Sequence, residues 1–125
     1  MRKRYTSKNR RKFNLKVHLI FVTKYRRPIL VSGLETCVKE KISELCLKHE
    51  WCIVAMETDR DHIHLLLSYD ATERVSDIVH CLKQGTTWEL WQKFYYFLRP
   101  RYWKKHIFWS DGYFACSIGE VSSAT

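Results

Sequence analysis

Thr58-Asp59-Arg60-Asp61-His62-Ile63-His64-Leu65-Leu66-Leu67 reads as a polar turn running directly into a buried β-strand. Side chains alternate faces along a strand, so His62 and His64 share one face while Ile63, Leu65 and Leu67 share the other. The apolar face can pack on a core. The opposite face then presents two imidazoles, on Cα atoms roughly 7 Å apart, to one metal ion or one phosphate. A His-x-His pair is a weak motif alone, because strand histidines are often hydrogen-bonded surface residues. Its weight comes from the neighbouring Asp59 and Asp61, which are either further cation donors or ordinary turn residues, and from the basic chain around it.

Working outward, residues 51–58 form a second strand, and the short Asp59-Arg60-Asp61 link makes the two strands an antiparallel hairpin. Upstream, Leu15-Lys16-Val17-His18-Leu19-Ile20-Phe21-Val22-Thr23 is rich in β-branched and aromatic residues and reads as a central strand. His18 either faces the side of the histidine pair or packs in the core, and packing is the reading adopted. Lys24-Tyr25-Arg26-Arg27-Pro28 ends this strand, since proline disfavours helix at the residue before it.

Between the strands, Ser32 and Glu35 have the spacing of a capping box, followed by Leu34, Cys37, Val38, Ile42, Leu45 and Cys46 at helical intervals. This predicts a helix over about 33–49. Residues 72–94 carry Val75, Ile78, Val79, Leu82, Leu90 and Phe94 on one stripe and read as a second long helix. Gly85 inside it costs about 1 kcal/mol relative to alanine, which points to a kink or a close approach of another backbone.

Residues 94–109 are aromatic and basic, and Pro100 marks them as a loop. Their rings and cations either stack bases and grip phosphates or pin the loop to the core. Ser110-Asp111-Gly112 is a turn, and 113–118 is a fourth strand. The order β-α-β-β-α-β is the split βαβ arrangement of ferredoxin-like folds. It is an α+β sandwich with a four-stranded antiparallel sheet, two helices on one face, and the other face open to a ligand.

The chain has 125 residues, 46% hydrophobic and 28% charged, which suits one globular domain over 13–125 behind a basic, flexible arm at 1–12. Lys and Arg number 22 against 13 acids, a net charge of +9 that suits a polyanionic partner. Half of the basic residues precede Glu35, the first acid. Five cysteines without a Cys-x-x-Cys pair lie in apolar patterns, as expected of free thiols in a reducing cytosol. No apolar run approaches the ~18 residues of a membrane span.

Three segments together resemble the IS200/IS605-type transposases, small single-tyrosine members of the HUH nuclease superfamily. They are Lys16-Val17-His18-Leu19-Ile20-Phe21-Val22-Thr23-Lys24-Tyr25-Arg26-Arg27, then Asp59-Arg60-Asp61-His62-Ile63-His64-Leu65-Leu66, then Phe108-Trp109-Ser110-Asp111-Gly112-Tyr113-Phe114 with Ile118-Gly119-Glu120-Val121. The resemblance implies a ferredoxin-like domain acting as a homodimer on subterminal hairpins of single-stranded DNA at the ends of an insertion element. It implies that His62 and His64 bind a divalent ion, Mg²⁺ or Mn²⁺, and that a tyrosine attacks the scissile phosphate to leave a 5′-phosphotyrosine.

A dication suits that chemistry because negative charge grows on the phosphoryl oxygens during in-line attack. Two imidazoles do not complete a hard octahedral ion, so further ligands are required. Lys16, Lys24, Arg26 and Arg27 are the expected DNA contacts, with Arg99, Arg101, Lys104 and Lys105 as a second patch.

The sequence departs from the family pattern at its C-terminal end. The resemblance places the nucleophilic tyrosine, and a metal-completing glutamine one helical turn after it, beyond Thr125. The expectation is therefore a chain truncated before the catalytic helix, one that binds DNA without cleaving it. Tyr113 belongs to the family's Gly-Tyr-Phe strand pattern and Tyr69 to the core face of the histidine strand, so neither is a primary substitute. The alternative from another class is a nonenzymatic single-stranded DNA or RNA binder using the open sheet, although a convincing RNA-recognition element is absent from the third strand. A third, a metal-dependent hydrolase of a small substrate, lacks an evident general base or closed pocket.

Overall fold

Val17, Leu19 and Phe21 on one strand and Ile63, Leu65 and Leu67 on its neighbour are each at most 1% exposed, and this shared apolar face organises the domain. In the computed structural model, which describes residues 15–118, the strands are β1 (Leu15–Val22), β2 (Cys52–Thr58), β3 (His62–Tyr69) and β4 (Phe114–Ile118). They form one sheet in the order β2-β3-β1-β4 with every neighbouring pair antiparallel. Helices α1 (Ser32–His49) and α2 (Val75–Lys93) contribute Val38, Ile42, Ile78, Leu82 and Leu90 to the same core. The expected ferredoxin-like α+β fold is present. The arm at 1–12 and the Gly119-Glu120-Val121 segment lie outside the described residues.

Several local expectations are corrected. Residues 94–109 are not all loop: Tyr95–Tyr102 forms a third helix, α3, with Pro100 inside it. Leu98 and Tyr102 are buried, and that anchorage outweighs the helix-breaking tendency of one proline in a two-turn element. The Ser32/Glu35 capping box does not form. Val31 is the N-cap, without a side-chain cap bond. Glu35 instead accepts a hydrogen bond from the Thr58 hydroxyl on β2 and pairs with Lys39 at 3.2 Å. Helix α2 starts at Val75 rather than Thr72 because the Asp70 carboxylate takes the backbone N–H and hydroxyl of Thr72 in a local turn.

Gly85 marks a close approach, without a kink, and its neighbour is a side chain rather than a backbone. A Cβ there would lie 2.6 Å from Leu45 Cδ1 on α1. That methyl is the end of a rotatable side chain, so Gly85→Ala is expected to change stability by no more than about 1 kcal/mol, the helix-propensity gain offsetting the displacement of Leu45. Gly85→Leu is expected to cost about 1–3 kcal/mol by overpacking. Urea unfolding of the two variants reads both numbers, and a Leu variant as stable as the Ala one contradicts the close approach.

Candidate metal and nucleic-acid site

The burial of Ile63, Leu65 and Leu67 turns His62 and His64 to the open face, as alternation requires. Strand register maps that face. His62 stands opposite Val22 on β1, and His64 opposite Ile20 on β1 and Glu57 on β2. Beyond Ile20 lies Phe114 of β4, 56% exposed. Lys16 and His18 follow on the same side of β1, because Val17 and Leu19 point into the core.

His18 is therefore not a packed core residue. Its Nδ1 lies 3.0 Å from His64 Nε2, so three histidines occupy the open face. Sequence alone missed this because β1 is apolar on both sides. The parity of His18 with the exposed Lys16 was the available signal. Glu57 was also missed. A β-bulge between Ile53 and Ala55 resets the alternation of β2, so counting along the strand did not place this carboxylate beside His64.

The turn before the pair is braced on several sides. Asp59 N–H donates to His62 O, Thr23 N–H to Asp61 O and Leu30 N–H to Arg60 O. Asp59 spends its carboxylate on the Arg60 N–H at 2.7 Å, which is turn chemistry. Asp61 has a second role: it accepts from His62 Nδ1 at 3.0 Å and pairs with Arg26 at 3.2 Å. The hydrogen bond from His62, followed by the Arg26 guanidinium, holds the Asp61 carboxyl below the ordinary carboxylate range.

The basic residues around this turn differ in their freedom. Arg26 is well exposed beside Asp61, and Lys24 pairs with Asp111 at 3.6 Å. Arg27 lies 5.5 Å over the rings of both Tyr25 and Tyr102. Tyr25 (φ 63°) and Arg26 (φ 53°) occupy the left-handed region, a conformation that bulky residues keep only when their surroundings impose it. Tyr25 is 59% exposed, with Lys24 and Arg27 lying 5.6 and 5.5 Å from its ring.

Helix α3 docks against this turn through the Tyr102 hydroxyl, which donates to Lys24 O at 3.1 Å. The second patch thus adjoins the first. Within it Arg101 folds back onto the Phe97 carbonyl and ring, while Arg99, Lys104 and Lys105 remain exposed.

Tyr102, Tyr69 and Tyr113 have surroundings other than the histidine face. Tyr102 is buried, and burial pushes its phenol up to about 12. Tyr69 lies in the core. Tyr113 precedes β4 and lines a cavity of about 620 Å³ between α2 and the 106–113 segment, together with His80, Lys83, Trp88 and Trp91. Neither His62, His64 nor His18 lines that cavity, so it is not a closed pocket over the histidines.

A divalent ion can be tested against these donors. With its Nδ1 on Asp61, His62 keeps Nε2 for a ligand, and a carboxylate behind a histidine is the usual support of a metal-binding ring. His64 has one nitrogen engaged by His18 and the other available. Among the described residues no group of three or more His, Cys, Asp or Glu side chains is arranged to hold a metal. The pair fits such an ion in donor type and in sharing one face, and leaves its remaining positions to oxygen ligands from elsewhere.

The family model for IS200-like transposases matches residues 11–125, a span that contains every element just described. The chain belongs to that family. Among IS200-like relatives, it is 27% identical over 112 residues to the ISDra2 transposase TnpA of Deinococcus radiodurans, covering 90% of this chain and 79% of that protein. It is 29% identical over 109 residues to the transposase for insertion sequence element IS200 of Salmonella typhimurium, covering 87% and 70% respectively.

A crystal structure of a Deinococcus radiodurans protein described as a transposase superposes with a TM-score of 0.75 at 26% identity, over 87% of this chain and 82% of the other. The structure of a REP-associated tyrosine transposase bound to a REP hairpin superposes with a TM-score of 0.59 at 11% identity, over 90% and 61%. At that identity the likeness is one of fold. No helix among the described residues of this IS200-like chain is long and apolar enough to cross a membrane.

Proposed function

We propose that the chain binds subterminal hairpins of single-stranded DNA at the ends of an insertion element, as the DNA-holding and cation-holding part of a single-tyrosine strand transferase. The observation that carries this reading is the placement of His62 and His64 on the open sheet face, beside a turn where Arg26, Asp61 and His62 are linked in series. When bound, a divalent ion supplies charge neutralisation and alignment of the scissile phosphate. The chain's own residues do the rest. Asp61 orients His62; Lys16, Lys24, Arg26 and Arg27 meet the phosphates; the exposed Tyr25 offers a ring for an unpaired base. Arg99, Lys104 and Lys105 extend the basic surface along α3, and Arg101 packs that helix.

Strand transfer in this reading passes through a 5′-phosphotyrosine, and the chain on its own binds hairpin DNA without cleaving it. The partner is a second copy of the chain. Strand β4 supports this, because among the described residues it is a sheet edge, exposed along its whole length with Phe114 and Ile118 on its surface, the kind of edge that pairs with another strand. The five cysteines are all free, which suits DNA chemistry in a reducing cytosol.

Labelled hairpin-ended single-stranded DNA incubated with the chain and Mn²⁺ tests the proposal. A retarded complex on a native gel and no covalent protein–DNA band on a denaturing gel are expected. A covalent band contradicts binding without cleavage. Equal affinity for the same hairpin made of RNA favours instead a nonenzymatic binder that uses the open sheet, a reading the exposed Phe114 and Ile118 beside β1 also permit.

A further inference from the structure

We propose that His18 is a positioning residue for His64: it holds one nitrogen of that ring so that the other faces outward as a donor. The inference rests on the reading of His62 and His64 as a cation-binding pair and adds a residue to it. His18 sits opposite Leu66 and His64 opposite Ile20, so the two rings are diagonal neighbours on adjacent strands, within reach of long side chains. Their nitrogens are 3.0 Å apart, their planes differ by 4° and their centroids are 5.1 Å apart. Rings that meet nitrogen to nitrogen in nearly one plane are edge to edge, the geometry of a hydrogen bond rather than of a face-to-face stack.

Two neutral imidazoles bond only when one donates and the other accepts. If His64 Nε2–H donates to His18 Nδ1, the Nδ1 of His64 keeps its lone pair. In the reverse arrangement Nδ1 carries the proton and the ring has no lone pair for a cation. His18 Nδ1 is thus the acceptor that favours the ligand form of His64, as the Asp61 carboxylate favours that of His62 through Nδ1. The two rings are held by separate elements, His64 from β1 and His62 from the hairpin turn. They present different nitrogens, Nδ1 of His64 and Nε2 of His62.

Long-range ¹H–¹⁵N spectra of the full chain with Mg²⁺, at about pH 8 where a model imidazole is neutral, report the tautomer of His64, and Mn²⁺ titration followed by electron paramagnetic resonance reports affinity. In the wild type His64 is expected as the Nε2–H tautomer. His18→Ala is expected to mix the two tautomers and to weaken Mn²⁺ binding about 10-fold or more, the usual effect of removing such a supporting group. His18→Asn, which retains an acceptor, is expected to restore both.

A wild type in which His64 is the Nδ1–H tautomer overturns the proposal without any variant, and so does an Ala variant with unchanged tautomer and affinity. An Asn variant no better than the Ala variant overturns it too. A wild type with the expected tautomer and no affinity for Mn²⁺ upholds the hold of His18 on His64 and removes the cation assignment instead.

Discussion

Leu65→Ala is expected to lower the free energy of unfolding by about 3–4 kcal/mol, in the upper part of the usual range for burying a cavity where a leucine stood. Leu65 is fully buried on β3, the strand flanked by β1 on one side and β2 on the other. Because it lies under the sheet in the packed layer, its neighbours cannot collapse into the space without moving a strand. Leu66, next in sequence, faces the other way and is only half-buried, so Leu66→Ala is expected to cost about 1 kcal/mol or less. Urea unfolding with unchanged m values measures both. The contrast matters more than either figure, because it is the alternation that turns His62 and His64 outward. Equal costs for the two leucines would mean that β3 is not the one-sided strand described.

Affinity for hairpin-ended single-stranded DNA is expected to fall by two to three decades between about 50 and 200 mM salt, if about six phosphates are neutralised. The cations are placed for this: Lys16 on the open face, Lys24, Arg26 and Arg27 in the turn after β1, and Arg99, Lys104 and Lys105 on and after α3. The slope of log affinity against log salt, measured by fluorescence anisotropy, counts them. Arg26→Ala is expected to have an additional effect, since it removes the partner of Asp61 as well as one of the proposed phosphate contacts. A slope near zero would mean that the basic surface does not meet the DNA backbone.

The parts of the fold legible in the sequence are those fixed by local pattern. His62, Ile63, His64 and Leu65 alternate polar with apolar closely enough to assign the face of β3 although Leu66 continues the apolar run, and the three-residue turn before His62 forces the hairpin. Helix α1 is equally plain from its apolar interval.

What the sequence does not show is what depends on long-range contact. Thr58 on β2 takes the Glu35 carboxylate that local spacing assigned to a capping box. Tyr102 and Leu98, by burying themselves, hold α3 together across Pro100. His18 is hidden because β1 is apolar on both sides, and only its pairing with β3 brings it to His64. The Glu57 face depends on a bulge that no local pattern announces. Asp61, ambiguous between turn residue and cation donor, proves to orient His62 through a hydrogen bond that spacing alone does not specify.

The central claim is that two histidines on an open sheet face share one cation, and Mn²⁺ titration of the wild type, His62→Ala and His64→Ala tests it most directly. Both positions are half-exposed and point away from the core, so both variants are expected to keep the wild-type unfolding midpoint while losing Mn²⁺ affinity by about 10-fold or more. Wild-type affinity retained in both folded variants would contradict the shared site.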